Sequence, residues 1–170
     1  MVTAVERREL VSKLEANRQK LIELARGIDD DRLTSPKQEG DRSPKGMLMH
    51  LAQAEHNYVF NWAKRARDED RPDLKRDGVG DGEAALFNEA NPVSVDELIS
   101  SLERSRIDTL RFIAETSDDE FERVGRNTPF GDLTVHQFLK SLYRHDQMHI
   151  DEITGVESAY EVRTTDGRRL

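Results

Sequence analysis

Four separate segments of this sequence place apolar residues three, four or seven positions apart, which is the spacing of one face of an α-helix. The first segment covers about residues 3 to 28, with an apolar seam formed by Leu10, Leu14, Leu21, Leu24 and Ile28. Asn17 falls on this seam and faces either solvent at the helix edge or an internal site. Strand signals are weak, and residues 122–134 indicate a turn or a short extended piece and no more. The pattern predicts an all-α fold.

The other three predicted helices have recognisable starts. A capping residue precedes each of them and is followed either by Pro at the first helical position or by Glu or Gln at capping-box spacing. These pairs are Ser43 with Pro44, Ser94 with Glu97, and Thr134 with Gln137. We therefore expect a second helix over about residues 44–66, a third from residue 95, and a fourth from residue 135 to a stop at Gly155.

Four helices of this length predict a four-helix bundle. The link between the second and third helices spans about residues 68–92 and is rich in Gly and Asp. A link this long can run the length of a bundle, so we expect these two helices to be parallel. Within it, residues 82–91 indicate either an extra helical turn or a mobile loop. We expect one bundle domain over residues 1–155, followed by a C-terminal tail, residues 156–170, that is either packed or disordered.

Composition narrows the possible functions. The net charge of −8 disfavours nucleic-acid binding, because an acidic chain repels phosphates. The sequence has no cysteine, so any metal site would use nitrogen and oxygen ligands. The amino-terminal residues do not form a secretory signal, and no run approaches the roughly 20 apolar residues of a membrane span. We expect a cytoplasmic protein that binds neither membrane nor nucleic acid.

Two histidines lie four residues apart on the fourth predicted helix. His145 and His149 differ by about 40° around the helix axis and point the same way. They lie on the inward stripe of that helix, together with Val135, Phe138, Leu142 and Ile153. Glu152 follows His149 by three residues and lies near the same face. The spacing therefore allows both imidazoles to bind one ion.

A third histidine faces inward from another helix. His50 lies on the apolar stripe of the second predicted helix, between Met47 and Ala54. His56 and His136 point away from their inward stripes and are interpreted as surface or capping-region residues. Burying three imidazoles without partners would cost about a few kcal/mol each, so their convergence predicts a metal ion.

Three imidazoles suit Zn, Ni, Fe or Mn and leave a coordination position open, as in catalytic sites. A zinc-protease motif is disfavoured, because Asp146 occupies the position of its glutamate and points about 100° away from the ligand face. A di-iron site is disfavoured because the helices lack the paired E-x-x-H elements.

Two stretches resemble motifs of the DinB/YfiT-like superfamily: RSPKGMLMHLAQAEHNYV, residues 42–59, and GDLTVHQFLKSLYRHDQMHIDEI, residues 131–153. The resemblance implies a metal-binding four-helix bundle with up-down-down-up topology, the long second link as its crossover, and a homodimer. It also implies His50, His145 and His149 as the metal ligands. Glu152 stands where the family often has Gln, which implies a fourth ligand, an acceptor for a ligand histidine, or a solvated acid.

The resemblance implies a metal-dependent enzyme that transfers a low-molecular-weight thiol, such as mycothiol or bacillithiol, to a small electrophile. The thiol would be external, because the chain has no cysteine. The first alternative is a metal-dependent hydrolase that lowers the pKa of bound water towards about 7, with Glu152 as the candidate catalytic base. The others are a non-catalytic bundle that binds a small molecule or metal, and a helical domain whose histidines bind nothing.

Overall fold

The structure, a computed structural model, describes residues 2–38, 41–74, 89–128 and 130–160. Within these ranges lie six α-helices: α1 Ala4–Arg26, α2 Asp30–Thr34, α3 Pro44–Asn57, α4 Lys64–Asp68, α5 Val95–Glu115 and α6 Val135–Thr154. A π-helical segment, Tyr58–Ala63, joins α3 to α4 without a break. A 3-10 turn, Glu120–Glu122, precedes a hairpin of β1 Val124–Thr128 and β2 Gly131–Thr134. The long helices α1, α3, α5 and α6 form the predicted four-helix bundle.

The caps confirm the predicted helix ends. Ser94 and Thr134 each form a complete capping box with the residue three positions later. The Ser43 side chain accepts a hydrogen bond from the Gly46 amide. Gly155 ends α6 with φ at 77°, a left-handed conformation that glycine adopts without steric cost. Local sequence chemistry therefore fixes where these helices begin and end.

The buried apolar side chains form two clusters. The lower core consists of Val2, Leu10, Leu14, Val59, Ala63, Ala66, Leu74, Phe112, Ile113, Phe121, Val135, Phe138, Leu139, Leu142 and Tyr143. The upper core consists of Leu21, Ala25, Leu48, Leu51, Leu98, Leu102 and Ile150. Following each helix through these clusters gives its direction along the bundle.

The helix directions give the predicted up-down-down-up topology. α1 and α6 begin in the lower core and end in the upper core. α5, and α3 together with its π-helical continuation, run from the upper core to the lower core. The starts of α3 and α5 are joined directly, because Ser43 Oγ donates to Asn91 Oδ1 at 2.7 Å. α3 and α5 are therefore parallel, as the length of the link between them predicts.

The segment between α5 and α6 forms a two-stranded hairpin, which is more regular structure than the turn or short extended piece predicted there. β1 and β2 are antiparallel, and Asp73 forms an isolated parallel bridge to Arg126 of β1. Gly125 faces the side chains of Leu74 and Ala66 so closely that a Cβ at this position would overlap Leu74. The hairpin therefore packs on the lower core at the base of α6.

Several predictions concern residues outside this description. The described part of the long link ends at Leu74 and resumes at Glu89, so most of the helical turn predicted for residues 82–91 lies outside the described residues. The described part of the tail, residues 156–160, contains no helix or strand. The boundary between domain and tail stays a prediction. Within the described ranges, no helix has both the length and the hydropathy needed to cross a membrane.

Candidate metal centre

The structure brings the three predicted ligands together. His50 projects from α3, and His145 and His149 project from adjacent turns of α6. One ring nitrogen from each histidine can be chosen so that all three lie within 4.8 Å of one another. His149 is buried, and the other two are partly buried. The cluster lies where α3 and α6 face each other.

The distances fit one shared ion. The Nε2 atom of His145 lies 3.2 Å from Nε2 of His50 and 3.2 Å from Nε2 of His149. Zn–N bonds of about 2.0–2.1 Å in a tetrahedral site place two ligand nitrogens about 3.3–3.4 Å apart. The His50 ring is nearly perpendicular to the other two, at 85° and 83°. The donor set therefore matches a three-histidine site in both chemistry and spacing.

The electrostatic environment keeps His145 neutral. Burial lowers the pKa of His145 well below its usual value, and the neighbouring His149 and His50 lower it further. A metal ligand must be an unprotonated imidazole, since the lone pair forms the bond. The environment that disfavours a proton on His145 therefore favours its use as a ligand.

Glu152 contacts the cluster from its outer side. Its Oε2 atom lies 2.8 Å from Nδ1 of His149, whereas Nε2 of His149 faces the other histidines. This hydrogen bond is the main cause that lowers the pKa of Glu152, and the side chain remains 43% exposed. A carboxylate that accepts a hydrogen bond from Nδ1–H keeps the proton on that nitrogen and leaves the Nε2 lone pair for a metal. The contact favours the acceptor role among the three considered for Glu152.

The two remaining histidines lie outside the cluster. His56 is exposed, with its ring 4.6 Å from that of Phe60. His136 is partly buried at the start of α6, and its ring centre lies 6.1 Å from that of Phe121, with the two rings nearly perpendicular. Burial lowers the pKa of His136 below its usual value. Neither joins the group of possible metal ligands.

Aromatic rings line one side of the histidine cluster. The Tyr58 ring centre lies 6.4 Å from that of His145 and 4.5 Å from that of Trp62. Phe130, which follows β1, stacks on Tyr58 at 6.5 Å. Tyr58 and Trp62 belong to the π-helical segment, and such segments are frequent at functional sites. These rings were not singled out as site residues from the sequence.

A layer of four buried charges lies next to the histidines and was missed by sequence reasoning. We call it the ionic layer: Arg18 of α1, Glu55 of α3, Arg106 of α5 and Asp146 of α6. All four side chains are at most 6% exposed. Each follows a seam leucine by four residues, namely Leu14, Leu51, Leu102 and Leu142. That shared offset is the signal in the sequence that predicts inward-facing charges.

Each arginine of the ionic layer bonds to both carboxylates. Arg18 contacts Asp146 through Nε at 3.1 Å and Nη2 at 2.9 Å, and contacts Glu55 through Nη2 at 2.5 Å. Arg106 contacts Glu55 through Nε at 2.8 Å and Asp146 through Nη2 at 3.0 Å. Thr109 Oγ1 donates to Glu55 at 2.6 Å. The two positive and two negative charges therefore satisfy one another inside the bundle.

Interactions within the layer shift the pKa values of its members. Burial alone would raise the pKa of Glu55, but the guanidiniums of Arg18 and Arg106 and the bonds from Arg106 and Thr109 lower it overall. Burial alone would lower the pKa of Arg18, but the carboxylates of Asp146 and Glu55 raise it. Both groups are therefore held in their charged forms.

Asn17 of α1 and Asn57 of α3 have contacts outside the histidine cluster. Asn17 is partly buried, and its Nδ2 donates to the backbone oxygen of Tyr143 at 2.7 Å, which ties α1 to α6. Asn57 is exposed, and its Oδ1 accepts from Asn61 at 3.2 Å. Asn17 thus faces the neighbouring helix, and Asn57 faces solvent.

The family model of the DinB superfamily matches residues 13–153. The chain belongs to the DinB superfamily. This match spans the histidine cluster and the ionic layer, so both lie in the family's domain. A search of curated proteins found none that matches this chain significantly.

Solved structures share the fold of this DinB-superfamily protein. YfiT from Bacillus subtilis, described as a probable metal-dependent hydrolase with an unusual four-helix bundle topology, has a TM-score of 0.75 at 18% identity, over 91% of this chain and 87% of YfiT. TT2238, a four-helix bundle protein, has a TM-score of 0.65 at 23% identity, over 88% of this chain and 98% of TT2238. A mycothiol-dependent maleylpyruvate isomerase has a TM-score of 0.66 at 14% identity, over 95% of this chain and 65% of the isomerase. At these identities the likeness establishes the fold.

Proposed function

We propose that this protein is a metal-dependent enzyme that transfers a low-molecular-weight thiol to a small electrophile. The observation that carries the proposal is the convergence of three histidine nitrogens, with both Nε2 contacts of His145 at 3.2 Å. A divalent transition metal, Zn, Ni, Fe or Mn, would be held by His50, His145 and His149. When bound, it supplies a Lewis acid that lowers the pKa of a coordinating thiol or water.

The protein's own residues prepare the site for that ion. Burial keeps His145 unprotonated, and Glu152 holds the proton of His149 on Nδ1, away from the cluster. Tyr58 supplies aromatic surface beside His145, and Phe130 stacks on Tyr58. These groups bind and orient, and the thiol comes from solution because the chain has no cysteine.

Two observations favour thiol transfer. A hydrolase needs a base for the attacking water, and Glu152, the candidate for that role, lies on the outer side of His149. The fold is also shared with an enzyme described as mycothiol-dependent. A transferase needs no comparable base once the thiol is ionised.

The second candidate function is metal-dependent hydrolysis. Its support is the likeness to YfiT, which is described as a probable metal-dependent hydrolase and has a TM-score of 0.75 to this chain. The Glu152 side chain is 43% exposed, but it could act as a base only after breaking its hydrogen bond to Nδ1 of His149.

The expected homodimer and cytoplasmic location stay predictions.

The experiment that tests thiol transfer is an adduct assay with metal-loaded protein. Mycothiol, bacillithiol and glutathione are each incubated with a general electrophile, and the thioether is measured by mass spectrometry. We expect metal-dependent adduct formation above the rate without enzyme, and its loss in His145→Ala but not in His56→Ala. Hydrolysis of ester or amide probes with no thioether from any thiol would contradict transfer and favour the second candidate.

A further inference from the structure

The ionic layer connects the two helices that carry the histidine cluster. Glu55 lies five residues after His50 on α3, and Asp146 directly follows His145 on α6. Two buried carboxylates repel each other, so Glu55 and Asp146 can both be ionised at close range only with cations between them. The arginines that supply those cations come from α1 and α5.

Each arginine spans the gap between α3 and α6. Nη2 of Arg18 lies 2.5 Å from Glu55 and 2.9 Å from Asp146. Nη2 of Arg106 lies 3.2 Å from Glu55 and 3.0 Å from Asp146. Both guanidiniums are also fixed along the bundle, because Arg18 donates to the Leu102 carbonyl and Arg106 contacts that of Leu14. The same two planar guanidiniums therefore fix the positions of α3 and α6 relative to each other.

The apolar contacts between these helices constrain their geometry less. Leu51 and Ile150 belong to the upper core, where burial is favourable but non-directional. Charge-assisted bonds to a planar guanidinium demand a particular distance and orientation. A slide or rotation of α3 against α6 would break the bonds of the layer before it exposed much apolar surface.

Stability alone does not account for four buried charges. Replacing a buried ion pair with well-packed apolar residues is often neutral or stabilising, because the charges lose their hydration when buried. A lower and an upper core already bury apolar side chains on either side of the layer. A requirement for defined geometry would explain why charges stand at positions that apolar side chains could fill.

We propose that the ionic layer is a positioning element for the metal site, which fixes the rotation and register of α3 against α6 and so brings His50 to His145 and His149. This proposal rests on the proposed metal function. Its residues act through the helix backbones and do not touch the ion. Asp146, which the sequence pattern sets aside because it points off the ligand face, is on this view part of the machinery of the site.

The test uses a charge-balanced double substitution, Glu55→Met with Arg106→Met. It removes one positive and one negative charge, keeps the net charge, and leaves the bonds between Arg18 and Asp146 in place. The matched control is Phe121→Leu, which perturbs a fully buried ring of the lower core. Zn²⁺ affinity is measured by chelator competition, the Co²⁺ absorption spectrum reports ligand geometry, and thermal unfolding reports stability.

We expect the double variant to remain folded, to bind Zn²⁺ on the order of tenfold more weakly than the unaltered protein, and to show a changed Co²⁺ spectrum. Phe121→Leu should lower Tm and leave both metal readouts unchanged. Unaltered affinity and spectrum in the folded double variant would overturn the positioning role alone. Absence of binding by the unaltered protein would overturn the metal proposal as well.

A milder variant covers the case in which the double variant does not fold. Thr109→Val is nearly isosteric and removes the 2.6 Å hydrogen bond that orients Glu55. We expect it to fold and to weaken Zn²⁺ binding by about twofold or more. If Thr109→Val binds Zn²⁺ as tightly as the unaltered protein, that result is sufficient to overturn the positioning role.

Discussion

The ionic layer and the histidine cluster are two polar regions inside one bundle, and they satisfy their polar atoms in opposite ways. In the ionic layer, guanidiniums meet carboxylates, so the opposite charges neutralise each other without help. In the histidine cluster, three imidazoles of the same kind bring their nitrogens together. The first arrangement is complete within the chain, whereas the second gains most from an added cation. The histidine cluster is therefore the better candidate for binding a cation.

Removing one charge from the ionic layer should give the largest loss of stability. Glu55→Gln leaves two buried guanidiniums with one carboxylate, so we expect a loss of about 3–5 kcal/mol in the free energy of unfolding. His50→Leu removes one of the three imidazoles of the histidine cluster. It should change the free energy of unfolding of the metal-free protein by less than about 1 kcal/mol. Urea unfolding of both variants measures the difference. Equal losses would break the distinction between the two regions.

The two regions should respond to acid in different pH windows. For both His145 and Glu55 the pKa is lowered in the folded protein, so the unfolded chain takes up the proton first as the pH falls. Stability of the metal-free protein should therefore fall below about pH 6.5 because of His145, and again below about pH 4.3 because of Glu55. The titration of each group changes the free energy of unfolding by at most about 1.4 kcal/mol per pH unit.

Unfolding free energies measured across this pH range check the assignment. His145→Gln should reduce the fall near neutral pH and retain the one at acid pH. The part that remains near neutral pH comes from His136, whose pKa burial also lowers. A fall between about pH 6.5 and 5 that is the same with and without His145 would contradict the role given to its burial.

Glu152 links the histidine cluster to solvent, and its removal should have a moderate effect. Glu152→Gln keeps the shape but weakens the bond to Nδ1 of His149, so we expect metal affinity to fall on the order of tenfold. The stability of the metal-free protein should hardly change, because the side chain is exposed. Chelator competition measures the affinity. An unchanged affinity would show that Glu152 is a solvated acid.

An exposed ion pair gives the smallest expected effect. Lys13 and Glu9 contact each other at 2.6 Å on α1, with side chains 49% and 58% exposed. Lys13→Ala should leave the free energy of unfolding almost unchanged, because water screens the pair. Urea unfolding compares this value with that of Glu55→Gln. A loss as large as that of the buried layer would mean that burial does not govern these interactions.

The helices were predictable because their signals are local. A cap such as Ser94 and a seam leucine every third or fourth residue need no knowledge of the rest of the chain. The short helix α2 and the hairpin contain five residues or fewer per element, too few to show a period. The hairpin also depends on the close contact of Gly125 with Leu74, which is distant in sequence.

The histidine cluster was predictable for a related reason. Three histidines on inward stripes of two helices approach each other if the helices pair and the histidines lie at the same height along the bundle. The role of Asp146 was not predictable from its own helix, because its partners Arg18 and Arg106 come from two other helices. A residue that points away from one site can still face the centre of the bundle.

Metal content shows whether His50, His145 and His149 hold a metal ion. Protein purified without a histidine tag is analysed by mass spectrometry for metal per chain after exposure to Zn²⁺ or Ni²⁺. We predict about one ion per chain, lost in the alanine variant of each of the three histidines and retained in His56→Ala and His136→Ala. Less than about a tenth of an ion per chain, or retention by any of the three variants, would contradict the claim.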